Sequence, residues 1–114
     1  MSNVNVKTEN LVKELTREGF IEQLKSFAEK DVFVYYTGAV SNINSFENFG
    51  FYTYSNDETF EDFIKLGSAN EEDYNLTICL DCVESYQQDM IAGDLLLVLD
   101  NGMLVQIFIE NDDL

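Results

Sequence analysis

Residues 56–75 read NDETFEDFIKLGSANEEDYN and carry seven carboxylates, Asp57, Glu58, Glu61, Asp62, Glu71, Glu72 and Asp73, against the single cation Lys65. Whether the first half of this stretch is helix or strand decides where those charges point. Asn56 or Asp57 offers an N-cap, Phe60, Phe63 and Ile64 recur at helical spacing, and Gly67 is a stop signal. The pattern predicts a helix through Leu66. Its outward face would hold Glu58, Glu61 and Asp62, with neighbours about 5–6 Å apart. Residues 68–74 then form an acidic connection.

The flanking segments read mainly as strands. DVFVYYTGAV (31–40) and FGFYTYS (49–55) are β-branched and aromatic, with a polar loop at 41–48 between them. YNLTICLDCVES (74–85) alternates, with Leu76, Ile78, Leu80 and Cys82 on one face, and YQQDMIAG (86–93) reads as a loop or short helical turn. DLLLVLDNGMLVQIFIE (94–110) places two apolar runs around Asn101-Gly102, the signature of a type I′ hairpin. Both faces of that hairpin are apolar, so it belongs in the middle of a sheet covered on both sides.

Two short helices are expected over residues 8–17 and 20–30, because Leu11, Val12 and Leu15 fall on one helical face and Phe20, Ile21, Leu24, Phe27 and Ala28 on nearly the opposite one. Gly19 marks the break. The predicted architecture is a single α+β domain over residues 1–114. It has an antiparallel sheet of about five strands, two N-terminal helices, and one acidic helix inserted between strands. The helical pair covers one face of the sheet. The acidic helix, or a second copy of the chain as a homodimer, covers part of the other.

The chain has 22 acidic and 6 basic residues, for a net charge of −16. Residues 1–30 hold five of each (Lys7, Lys13, Arg17, Lys25 and Lys30; Glu9, Glu14, Glu18, Glu22 and Glu29), so all of the imbalance lies in residues 31–114. There, 17 acids face Lys65 alone. A solubilising surface or adaptation to high salt is the plain explanation. Yet two exposed like charges 6 Å apart repel by roughly 0.7 kcal/mol even in water, and lysine is scarce where the acids are dense. A functional acidic surface is the stronger reading. Such a field repels nucleic acid and anionic membrane and attracts basic protein surfaces or cations.

A hydrophobic content of 46% argues against a disordered acidic tail. No apolar run reaches the ~18 residues of a membrane span, and no signal-peptide pattern is visible. A cytoplasmic location, the host cytoplasm if the chain is phage-encoded, is the expectation. It agrees with two cysteines that need no partner.

Catalytic and metal motifs are sparse. With no histidine, the commonest general base is missing, along with Ser-His and Cys-His nucleophile systems. Cys79-Leu80-Asp81-Cys82 matches C-x-x-C, but on a strand residues three apart point to opposite faces and the sulfurs diverge. A zinc site would also lack two ligands. The expectation is two structural cysteines, no cofactor and no enzyme. Neither NDETFED nor DNGMLVQIFIE fits an EF-hand, and loose calcium binding at 71–73 or 110–114 is the remaining cation option.

Tyrosine mixed with carboxylates suits a protein-binding face, with aromatic anchors inside charge complementarity. The candidate contact residues are Asp57, Glu58, Glu61, Asp62, Glu71, Glu72 and Asp73 with Tyr52, Tyr54 and Tyr74. Carboxylates in adjacent segments would imitate the field of duplex DNA, one charge per about 1.7 Å of axis. The expected function is therefore a non-enzymatic DNA mimic that occupies the basic groove of a DNA-processing enzyme. In composition and size it is analogous to phage anti-CRISPR, anti-restriction and glycosylase-inhibitor proteins. An immunity protein neutralising a basic nuclease toxin is the alternative, followed by a ligand-binding domain or enzyme with incidental acidity.

Overall fold

The computed structural model describes residues 11–38, 41–71 and 73–109, with the side chains of all of these except Glu71 and Asp73. In chain order the elements are β1 (Val12–Leu15), α1 (Arg17–Lys25), β2 (Val32–Thr37), β3 (Asn42–Phe46), β4 (Phe49–Ser55), β5 (Asp62–Ser68), β6 (Asp73–Cys79), β7 (Val83–Asp89), β8 (Leu95–Leu99) and β9 (Leu104–Ile109). Short 3-10 turns at Ala69–Glu71 and Leu80–Cys82 join β5 to β6 and β6 to β7. The strands form a six-stranded sheet, order β1-β7-β8-β9-β2-β3, and a three-stranded sheet, order β4-β5-β6. Every pairing is antiparallel.

The α+β expectation is thus corrected: the chain is mostly β, with one α-helix among the described residues. The acidic helix is a strand. Asn56 does act as a cap, but its side chain closes a single turn and the chain then extends. Ile64 and Leu66 point inward at period two and are fully buried, while β4 and β6 pair with β5 on either side. A helix at 57–66 would have left both of those strands without a partner.

The N-terminal helix predicted over 8–17 is also corrected, with residues 8–10 lying outside the described residues. Residues 12–15 pair with β7, and Leu15 sits opposite Tyr86. Helix α1 begins where that helix was expected to end, because the Thr16 hydroxyl accepts the Gly19 N–H at 2.9 Å. Gly19 therefore lies inside the first turn rather than at a break. The helix stops at Lys25, and the following turns carry Phe27 into the core beside Phe20 and Leu24. Residues 42–46, expected as loop, form β3 at the sheet edge, and Tyr86–Asp89 continue β7.

The hairpin at 94–110 is present, and β8 and β9 are the two central strands of the large sheet. Its turn is not type I′. Only Gly102 is left-handed (φ +87°), and Asn101 is not. The Gly102 N–H donates to Leu99 O at 3.0 Å and the Leu99 N–H to Met103 O at 2.9 Å. This is a three-residue loop, a type I turn followed by a bulge, in which glycine alone takes positive φ.

Helix α1 and the small sheet pack on the same face of the large sheet. Phe20, Leu24, Ile64, Leu66, Val32, Val34, Leu95, Leu97 and Ile107 have no solvent exposure, and Phe49 and Val105 almost none. At roughly 25 cal/mol per Å² of apolar area, this burial drives folding. The layers are also pinned by Arg17. Its guanidinium donates to Asp62 Oδ2 (3.0 Å), Asp81 Oδ1 (3.1 Å), Leu80 O (3.1 Å) and Tyr86 Oη (3.1 Å). It thereby ties α1 to β5, to β7 and to the turn between β6 and β7. The Asp62 N–H donates to Asp81 Oδ2 at 2.8 Å. That bond, with the Arg17 guanidinium, holds the Asp81 carboxyl below its ordinary pKa.

Substituting Arg17→Met should lower stability by about 2 kcal/mol, seen as a lower urea midpoint at unchanged slope. Because the Asp81 pKa is depressed on folding, its contribution is complete above the unfolded value of about 4 and disappears as the pH falls through the folded one. The acid limb of the stability curve should be shallower in the variant. An unchanged midpoint at pH 7 would show that Arg17 does not pin the layers.

Candidate protein-binding surface

In β5 the inward positions are Ile64 and Leu66, so Phe63 and Lys65 face outward, away from the large sheet. The register Tyr54↔Phe63 and Tyr52↔Lys65 sets both tyrosines of β4 on that outer face. Tyr74 of β6 joins them. The rings form a continuous stripe: Phe63 stacks on Tyr54 at 5.4 Å, Tyr54 lies 6.1 Å from Tyr52, and Tyr52 meets Tyr74 edge-on at 5.1 Å. The close approach at its far end requires glycine. A Cβ on Gly50 would come within 3.0 Å of Ala69 Cβ and 3.1 Å of Tyr74 Oη.

At the other end, the β4–β5 connection carries the first acidic group. Asn56 Oδ1 accepts from the Glu58 N–H (2.8 Å) and the Thr59 N–H (3.3 Å). The Phe60 N–H donates to Asn56 O at 2.8 Å, and the Asn56 N–H to Glu61 O at 2.9 Å. This one-turn loop ends with Phe60 at φ +61° and 84% exposed. A bulky residue in the left-handed region is a conformational cost without compensation from packing. Asp57 and Glu58 flank it in solvent, and Glu61 is half-buried on the outer face beside the Cys79 thiol.

The predicted site residues therefore divide. Tyr52, Tyr54 and Tyr74 come together, and Asp57, Glu58 and Glu61 gather at one end of the stripe. Asp62 does not belong to this surface, since its carboxylate accepts from Arg17 and from Ser55 Oγ. Glu71 and Asp73 bound the β5–β6 connection at the opposite end, a strand length of roughly 20 Å away. Their side chains, and Glu72 altogether, lie outside the described residues. The carboxylate ladder at helical spacing does not exist. What replaces it is an aromatic stripe with acidic sequence at each end.

Sequence reasoning placed Phe60 and Phe63 inward and overlooked both. The signal that could have found Phe63 is the continuous alternation Tyr52, Tyr54 against Phe51, Thr53, carried through the turn into β5.

The cysteine geometry also differs from expectation. Cys79 ends β6 and Cys82 ends the 3-10 turn, so the thiols do not diverge. Both line an apolar cleft of about 360 Å³ at the open edge between the sheets, with Leu76, Ile78, Leu99 and Val105. A hydrogen bond with the Cys79 thiol, then burial, push the Cys82 thiol up to about 11. Such a thiol is protonated at neutral pH and is a poor nucleophile or metal ligand. Among the described residues no cluster of three or more His, Cys, Asp or Glu side chains is placed to hold a metal. No described helix is long and apolar enough to cross a membrane.

No family model, curated protein or solved structure matches this chain.

Two outcomes are expected. Replacing Phe60→Gly removes left-handed strain and should raise stability by about 0.5–1 kcal/mol, seen as a higher melting temperature; a lower one would mean that Phe60 packs within the fold. Alkylation of Cys82 by iodoacetamide should be negligible at pH 7–8 and rise only towards pH 11, as read by mass spectrometry. Rapid labelling at pH 7 would contradict the protonated thiol.

Proposed function

We propose that this chain is a non-enzymatic binding protein that lays the outer face of its small sheet against the basic, nucleic-acid-binding surface of another protein, as a DNA mimic does. The observation that carries the reading is the stripe Phe63–Tyr54–Tyr52–Tyr74, with the exposed Phe60 and acidic residues in the turn that adjoins it. Aromatic residues in a charged surround are what interface anchors require. A strained, exposed phenylalanine is kept at a cost that folding does not explain.

The mimicry concerns the field and not phosphate-by-phosphate spacing. Acidic sequence lies at two ends of a strand about 20 Å long, within a chain of net charge −16. A target groove lined with arginine and lysine would meet carboxylates at the β4–β5 turn and ring faces beside them, and arginine stacks well on aromatic faces. Lys65, the one cation of residues 31–114, lies within the stripe opposite Tyr52. It fixes polarity by offering a donor to an acidic or carbonyl group of the target.

Calorimetric titration against purified DNA-binding enzymes tests this. Binding should weaken steeply with salt, and duplex DNA should compete for the same site. Tyr52→Ala should weaken binding by roughly 30-fold, as expected for a central anchor. Asp57→Lys with Glu58→Lys should mainly slow association. Phe60→Gly should bind more weakly while melting higher. Binding indifferent to both salt and DNA would refute the mimicry, and full binding by folded Tyr52→Ala and Phe60→Gly variants would refute the face.

A further inference from the structure

Cys79 and Cys82 are the two cysteines of the chain, and both are free thiols. On an unbroken strand they would point to opposite faces. Instead β6 ends at Cys79, and Leu80–Cys82 form a 3-10 turn in which the Val83 N–H donates to Leu80 O. Three residues complete one such turn and rise about 6 Å, with side chains three apart nearly eclipsed. A disulfide needs a Cα separation of roughly 4.4–6.8 Å. Both side chains line the same apolar cleft, and both are half-buried rather than sealed in the core. We infer that Cys79 and Cys82 are a reversible dithiol–disulfide pair, oxidised by exchange with a small disulfide of the glutathione type.

The turn between the two sulfurs is held by other groups. Leu80 is 2% exposed and anchors its centre in the core. Arg17 donates to Leu80 O and Asp81 Oδ1, at 3.1 Å each, and Asp81 Oδ2 accepts the Asp62 N–H. The Asp100 N–H donates to Cys82 O at 2.8 Å. An S–S bond across a turn already fixed requires rotation of two side chains and little backbone movement. The same fixation gives each thiol a high effective concentration toward the other. A bond within the chain is thereby favoured over a lasting adduct or a bond between chains.

The exchange also has an order. The Cys82 proton is held by the hydrogen bond with Cys79 and by burial, so Cys79 reacts first. Its thiolate attacks one sulfur of the small disulfide, forms a mixed disulfide and expels one thiolate. Capping Cys79 removes the hydrogen bond that kept Cys82 protonated. Cys82 then gives up its proton, attacks Cys79 Sγ and expels the second small thiolate. The two protein thiols lose two electrons to the small disulfide, and the two protons released by the cysteines are taken up by the two expelled thiolates. Oxidation also removes the Cys79 S–H that donates to Glu61 Oε2 at 3.9 Å.

Intact-protein mass spectrometry of the folded chain decides this, after equilibration in buffers of varied reduced-to-oxidised glutathione ratio and quenching with acid. The wild type should lose two hydrogens at the mass of a single chain. The oxidised fraction should rise with the share of oxidised glutathione and return to dithiol with dithiothreitol. Cys82→Ser should stop at a glutathione adduct, mapped to Cys79 by peptide digestion, and Cys79→Ser should remain largely unmodified. A folded wild type that stays dithiol in oxidised glutathione while the urea-unfolded chain oxidises overturns the inference. So does a wild type that accumulates a stable adduct or a disulfide between chains. Equal adduct formation in the two Ser variants would overturn the assigned order. None of these masses depends on a binding target.

Discussion

Ile64 and Leu66 on β5 are the constraint from which the candidate surface follows. Both are fully buried against the large sheet. Because side chains in a strand alternate strictly, burying these two forces Phe63 and Lys65 outward, and the β4 register then brings Tyr52 and Tyr54 to the same face. A slip of one residue would put tyrosines into the core and isoleucine into water. The aromatic stripe is thus the obligatory reverse side of the core.

Arg17 plays a second, directional part. Hydrophobic burial is not directional and does not fix the angle at which a three-stranded sheet crosses a six-stranded one. A planar guanidinium shared among four acceptors on three separate parts of the chain supplies such a restraint. It also explains why Asp62 and Asp81, close enough to share a backbone hydrogen bond, coexist in so acidic a molecule. Among the described residues, Asp57 and Glu58, exposed at the β4–β5 turn, have no cationic ion-pair partner.

Sequence patterns revealed the strands that alternate cleanly or cluster β-branched residues, namely β2, β4, β6 and the β8–β9 hairpin. They failed where a local signal pointed one way and pairing the other. Asn56 capping, with Phe60 and Ile64 four residues apart, satisfies a helix template, and only the need of β4 and β6 for a neighbour overrules it. Residues 12–15 likewise read as helical until β7 claims them. The tyrosines of the candidate surface were legible as residues but not as a stripe, because their adjacency depends on β5 being a strand. Phe60 was illegible, since nothing in composition distinguishes a phenylalanine held in solvent from one in the core.

The most direct test of this account is the conformation of residues 57–68 in solution. Backbone chemical shifts and nuclear Overhauser contacts should give extended values from Asp62 to Ser68. Cross-strand contacts should link Tyr54 to Phe63 and Ile64 to Ile78, with one isolated turn at Asp57–Phe60. Helical shifts running from Asp57 to Leu66, with contacts between residues three apart, would contradict the two-sheet fold and the aromatic face with it.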